Sequence, residues 1–396
     1  MSKVQRPVVI AGAGPVGMTA AADLVRQGIP VTVLEKSAAL SAESRASTFH
    51  PPTLDLLDDL GFAKPLIAQG LKAPQVQYGS TVDGELGTFD FSAISDLTRH
   101  PYRLQAEQFK LTRIILEALK DNPLFDIRFN SEVASLAQDA NGVAVTTGAG
   151  DTLQCDWLIG ADGANSVVRR HQDIPFDGFT WAERFLVVTT SADIAAVRPG
   201  VTSVSYWADP QRWHFLLRII GAWRVMLPVP AEMSDDAARA PEYARESLAS
   251  VLPAGVAAPI EHITLYRVHQ RVATRFREGR TFLAGDAAHI NNPLGGMGMN
   301  GGLHDALNLT ARLGRVIHGK DGEDTLDGYD RQRRAVTMEA IQTGTIRNKK
   351  NLEARTPEDR EAFRSEIRKA VADREKTREF LRRISMIDSL QRAAAL

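Results

Sequence analysis

A β-α-β unit at the N-terminus, consecutive strands near the middle and a charged tail with helical apolar spacing predict an α/β chain in three parts. The parts are a Rossmann-like α/β domain, an antiparallel β-sheet domain inserted into it, and a C-terminal helical tail. A length of 396 residues allows two or three domains. With 44% hydrophobic and 24% charged residues the chain is globular in composition, not disordered, collagen-like or disulfide-rich. The 47 Lys+Arg nearly cancel the 48 Asp+Glu, so no strong field points to nucleic acid or an anionic membrane. One cysteine, Cys155, excludes an internal disulfide and a cysteine-based metal cage. It suits a reducing cytoplasm, the expected location.

Pro7 to Ala11 (PVVIA) reads as a buried strand. A helix from Pro15 to Gln27 follows and stops at Gly28, and Pro30 to Leu34 is a second strand that ends in Glu35-Lys36. The two strands should be parallel, with a right-handed crossover. The uncharged stretch from Pro7 to Ala22 behind Arg6 has a secretory signal as its rival reading. Gly12, Gly14, Pro15 and Gly17 interrupt it, and it is shorter than the ~20 apolar residues of a span. No other segment is apolar enough, so no stable membrane association is expected. Thr53 to Leu60 and Gln108 to Leu119 have helical spacing. Strands are expected at Phe185 to Thr190, Thr202 to Trp207, Trp213 to Ile219 and Trp223 to Val229. The α/β pattern returns at Gly279 to Asp286 and continues into a helix from about Met299 to Leu313. The tail from Thr345 carries 14 Lys+Arg against 9 Asp+Glu, interleaved. Phe363, Ile367, Ala370 and Val371, then Leu381, Ile384 and Ile387, mark an amphipathic face that packs on the body or, in a homodimer, on a second subunit.

The motif Gly12-Ala-Gly14-Pro15-Val16-Gly17 joins strand to helix. Gly12 permits the tight turn, Gly14 lets backbone approach a pyrophosphate, and Gly17 lets helix and strand pack closely; the helix N-terminus then faces the phosphates. Glu35, at the end of the second strand, can accept hydrogen bonds from a ribose diol. This unit does not separate NAD from FAD.

Two later stretches do so by resemblance. Trp157-Leu-Ile-Gly-Ala-Asp162-Gly-Ala-Asn-Ser166-Val-Val-Arg169 resembles the "DG" motif of flavoprotein aromatic hydroxylases. Thr281-Phe-Leu-Ala-Gly285-Asp286-Ala-Ala-His289 resembles their "GD" motif, and Pro293-Leu-Gly-Gly-Met-Gly298-Met299-Asn300 the glycine-rich turn after it. Order and spacing both fit the class A FAD-dependent aromatic monooxygenases of the p-hydroxybenzoate hydroxylase-like superfamily. The resemblance implies an FAD-binding domain over 1–73, 101–178 and 270–344, a substrate-binding sheet domain over 74–100 and 179–269, and a helical segment over 345–396. It implies a ribityl contact at Asp286 and isoalloxazine contacts from the Gly298, Met299 and Asn300 turn, whose helix amides would stabilise charge on the reduced flavin. Asp162 would support the pyrophosphate region and the surface where the nicotinamide docks. Arg45 would lie near the pyrophosphate or flavin, and Gln105 would reach the ribityl chain, with Gln108 the competing register and Arg103 a neighbour. Met297 stands where the family usually has Gln.

The implied reaction is hydroxylation of a small phenol or hydroxylated N-heteroaromatic with NADH or NADPH and O₂, through a flavin C4a-hydroperoxide. FAD is the only cofactor expected; no metal-binding pattern, nucleophile elbow or phosphate-binding GxxxxGK[ST] loop is present. His50, Tyr206, His214, Tyr266 and His269 are candidate general bases, and Tyr206, His214 and Arg218 fall in the expected substrate lobe. His289 beside Asp286 is read as structural. A flavin dehydrogenase or reductase, a halogenase (whose WxWxIP motif is missing) and a non-catalytic flavin-binding module are the competing readings.

Overall fold

The structure, a computed structural model, describes residues 6–43 and 46–396. Arg45 therefore lies outside the described residues. Val8–Ala11 and Val31–Leu34 pair in parallel across the helix Pro15–Arg26, as the crossover requires. They belong to a six-stranded sheet in the order Arg277–Glu278, Thr281–Leu283, Leu158–Gly160, Val8–Ala11, Val31–Leu34, Phe125–Arg128. The first of these is an antiparallel edge; the other pairings are parallel. Both central strands are buried throughout, which explains why they read as near-continuous apolar runs, with Thr32 the one polar residue.

The middle of the chain forms an eight-stranded sheet, whose core is Phe176–Thr190, Ala222–Val229, His214–Ile219 and Val204–Ala208. All four strands expected here form. The sheet is not wholly antiparallel: Gln75–Ser80 joins Val204–Ala208 in parallel and forms a hairpin with Gly84–Asp90. Alternation gives it two apolar faces. Phe185, Val187, Phe215 and Leu217 point to one core; Leu186, Val188, Leu216 and Val225 point to another, roofed by Ala238, Ala244 and Leu248. The roof comes from the helices Asp235–Arg239 and Pro241–Ala249.

The tail folds on its own chain. Helices Pro357–Val371, Arg374–Ile384 and Ile387–Ala394 bury Phe363, Ile367, Ala370, Leu381, Ile384 and Ile387 against the first sheet face. Of the expected apolar face only Val371 is exposed. Among the described residues no helix is long and apolar enough to cross a membrane.

Candidate functional site

Three segments distant in sequence meet along the carboxyl ends of the parallel strands, the usual ligand crevice of such sheets. In the first, Gly12 adopts φ 101°, and a Cβ there would strike the backbone of Ala161. A Cβ at Gly17 would collide with the Gly12 carbonyl. Gly14 differs. It caps the helix at φ −70°, and a Cβ there would meet nothing within 4 Å, so the space before the helix N-terminus is open. Pro15 occupies the first turn, whose N–H groups have no intrahelical partners. Glu35 holds the loop in shape: Oε2 accepts from Ala13 N at 2.9 Å and Oε1 from Ser37 N at 2.9 Å. Lys36 is exposed beyond it.

The second segment is Asp162-Gly163, where Asp162 Oδ2 accepts from Val167 N (2.7 Å) and Val168 N (3.1 Å). Half of this carboxylate is thus a helix cap, while Oδ1 is buried without a partner.

The third is the Gly285-Asp286 turn. Gly285, at φ 62°, packs so closely on Val16 that a Cβ would come within 2.8 Å of Val16 Cγ2. Asp286 is exposed beside it. Beneath the turn lies a buried network that sequence inspection did not anticipate. Asp305 Oδ2 accepts from Gly285 N (3.1 Å) and His289 Nε2 (2.7 Å), and its Oδ1 from Arg333 Nε (2.7 Å). His289 is therefore held under the turn, in the structural role expected of it.

The glycine turn begins its helix at Met297, two residues before the expected start. Gly295 and Gly296 take φ of 108° and 68°, the left-handed region open to glycine. Asn300 does not face the crevice with a free amide: its Oδ1 accepts from His50 N, and its Nδ2 donates to Thr48 O and Gly296 O. Met299 packs into the parallel-sheet core. A Cβ at Gly298 would lie 3.2 Å from Asn291 Oδ1. Gln105 Oε1 accepts from Thr48 Oγ1 at 2.8 Å, leaving Nε2 buried and unpartnered. His50 is fully buried, and its Nε2 donates to the Gly295 carbonyl at 2.9 Å. Burial, then the charge of Arg103, hold its pKa well below the ordinary value, so it stays neutral and braces the turn.

At the N-terminal end of that helix opens a cavity of about 220 Å³. Met297 forms one wall, Tyr78 and Tyr206 of the sheet a second, and Phe363, Phe380 and Ile384 of the tail a third. A single turn of π-helix, Thr337–Gln342, borders it. Tyr78 stacks on Tyr206 (centroids 5.2 Å apart), and Tyr206 on Phe215 (4.4 Å).

Of His50, Tyr206, His214 and Arg218, only Tyr206 lines this cavity. Register explains His214 and Arg218. Tyr206 pairs with Phe215 on the cavity face, whereas the neighbouring pair Trp207–His214 points to the opposite face. There His214 accepts from Arg198 Nη1 at 3.1 Å and stacks on Trp207. Burial, then the Arg198 charge, push its pKa down to about 4. Arg218, four residues on, lies over Trp223 on that same far face. Tyr266 and His269 do not line the cavity either; His269 Nδ1 bonds Thr180 Oγ1. The contribution of the tail was not legible, because it depends on the chain's return across the sheet.

The family model described as FAD binding domain matches residues 5–344. The chain is 34% identical over 383 residues to the para-nitrophenol 4-monooxygenase of Pseudomonas sp. (strain WBC-3), covering 94% of each. It is 35% identical over 363 residues to the 6-hydroxy-3-succinoylpyridine 3-monooxygenase HspB of Pseudomonas putida (strain DSM 28022 / S16), covering 90% of this chain and 91% of that protein. Among solved structures, p-nitrophenol 4-monooxygenase PnpA from Pseudomonas putida DLL-E4 superposes with a TM-score of 0.91 at 31% identity, over 98% of both chains.

Proposed function

The chain belongs to the class A flavoprotein aromatic hydroxylases, FAD-dependent monooxygenases of aromatic compounds, and on that premise we propose that it hydroxylates a small phenol or hydroxylated N-heteroaromatic with NADH or NADPH and O₂. The observation that carries this reading is the juxtaposition of the aromatic cavity with the glycine turn at Met297. Two of the similar proteins act, by name, on a nitrophenol and a hydroxypyridine derivative. A cavity of about 220 Å³ suits a single substituted ring.

The residues present fit FAD. Gly14 leaves room before a helix N-terminus, and Gln105 Nε2 and Asp162 Oδ1 are buried polar atoms with no protein partner. In this reading Glu35 takes the ribose diol, while the first-turn amides of Pro15–Arg26 take the pyrophosphate. Gln105 and Asp286 take the ribityl chain, and the backbone from Gly295 to Met299 lies against the ring system. Residues 1–73, 101–178 and 270–344 then serve FAD. The sheet of 74–100 and 179–269 serves the substrate together with the 345–396 helices. Bound FAD would carry electrons from the nicotinamide to O₂ and deliver one oxygen atom to the ring. The protein's part is to stack and orient the ring between aromatic walls, to shed water from it, and to keep the turn rigid through His50 and Asn300.

With FAD bound and a panel of phenols and hydroxypyridines, NAD(P)H oxidation should accelerate and an oxygenated product should appear in equal amount. Unchanged oxidation without oxygenated product across the panel overturns the proposal. Asp286→Ala should lose FAD, because a ribityl hydroxyl loses its acceptor; a variant that purifies fully yellow with unchanged flavin affinity removes Asp286 from the site.

A further inference from the structure

Arg103 sits in the strand Arg103–Gln105 behind the cavity wall and is 1% exposed. Its Nη2 donates to the Ile384 carbonyl at 3.2 Å, its Nη1 lies 3.5 Å from Tyr206 Oη, and its Nε has no partner. Both Ile384 and Tyr206 line the cavity. Among the described residues Arg103 forms no ion pair, unlike the other fully buried cations. Arg333 meets Asp305, and Lys349 meets Glu183 and Glu353.

The carboxylates around the cavity cannot neutralise it, for each is already matched. Glu366 pairs with both Arg347 and Arg383, Glu339 with Arg392, and Asp388 with Arg382. The other titratable neighbours, Tyr78 on the sheet and His50 below the turn, are both held in their neutral forms, chiefly by burial. The cavity is therefore electropositive, with Arg103 its buried and uncompensated charge. A cation kept from water without a counter-charge is expensive, and it becomes favourable when an anion arrives.

A guanidinium can only donate, so its hydrogen bond to Tyr206 uses the phenolic oxygen as acceptor. That leaves the Tyr206 O–H free to donate into the cavity. We propose that Arg103 is a positioning residue that makes Tyr206 a hydrogen-bond donor and selects the substrate as an aromatic oxyanion. The ring enters already ionised, with its proton left in solvent and its O⁻ on Tyr206 Oη. No base within the cavity has to take that proton.

The inference rests on the hydroxylase reading, and its test is separable from it. Binding to the FAD-loaded protein is measured with 4-nitrophenol and with its methyl ether, which cannot ionise, at pH values below and above the phenol's pKa. The wild type should bind in proportion to the ionised fraction and take the ether weakly. Arg103→Gln should weaken phenolate binding by roughly tenfold to a hundredfold and flatten its pH dependence, with FAD content unchanged. Arg103→Lys should restore much of the preference. Tyr206→Phe should weaken binding and add little on top of Arg103→Gln. Any of four results overturns the proposal: wild-type affinity and pH dependence in Arg103→Gln, loss of FAD from that variant, ether binding as tight as phenolate, or no binding of either probe by the wild type. The hydroxylase reading itself falls only if the wild type oxygenates no member of the wider panel.

Discussion

Arg333 and Arg103 are each 1% exposed, yet one is enclosed by its counter-charge and the other is not. Arg333 sits against Asp305, which also holds His289 and the Gly285 N–H. Burial alone would raise the Asp305 pKa, but His289 and Arg333 outweigh it and hold the carboxyl ionised. Arg103 has only a carbonyl, a distant phenol oxygen and the ring of Phe91. The first arrangement has its counter-charge without a ligand and shapes the Gly285-Asp286 turn. The second is incomplete by one negative charge. In the proposed reading the same side chain at the same depth serves the fold in one place and substrate selection in the other, according to whether the protein itself supplies a counter-charge.

The largest effect that would break this contrast is expected at Asp305. Asp305→Ala strands Arg333 and His289 in the interior and should cost about 3–5 kcal/mol, read by urea unfolding, with weaker FAD retention because the turn loses its acceptor. A loss below about 1 kcal/mol would mean that the network is not what holds the turn.

His214 sharpens the comparison as a buried base beside a cation, Arg198, that avoids the cost by staying neutral. Unfolded, it takes a proton near pH 6.5; folded, only near about 4. Between those values the unfolded state holds more protons. The contribution is therefore full above the unfolded pKa and fades as pH falls through the folded one, by at most about 3 kcal/mol. His214→Gln should show less acid destabilisation than the wild type when urea midpoints at neutral and mildly acidic pH are compared. An unchanged pH slope would place the proton elsewhere, on His50 for instance.

The smallest expected effect is at Arg103. Replacing an unmatched buried cation by methionine should change ligand-free stability by no more than about 1 kcal/mol, or raise it. Thermal unfolding of Arg103→Met checks this, and a loss comparable to that of Asp305→Ala would erase the distinction between the two arginines.

The cofactor half was legible in the sequence because its chemistry resides in backbone conformation. Gly12, Gly14 and Gly17 stand between a strand and a helix; at Gly12 and Gly17 a side chain would strike backbone, and Gly14 leaves the space before the helix open. Glu35 falls at the end of the second strand by spacing alone. The substrate half was legible only as strands. Tyr206 and His214 lie on adjacent strands but on opposite faces, a parity fixed by the Trp207–His214 pairing and not by composition. Arg103 looked like a neighbour of Gln105, since nothing local says that the tail will bring Ile384 to its guanidinium. Asn300 was read as a cofactor contact because it stands in the right motif; the three hydrogen bonds of its side chain to protein, a tie between helix and turn, were not legible there.

The third wall of the cavity has a practical corollary. Phe363, Phe380 and Ile384 come from a contiguous stretch, 357–384, that rests on the sheet without entering the parallel-strand core. In the proposed reading, ring-substituent tolerance is carried on a cassette, one that could be exchanged between related enzymes to retune selectivity while the redox machinery is left as it stands.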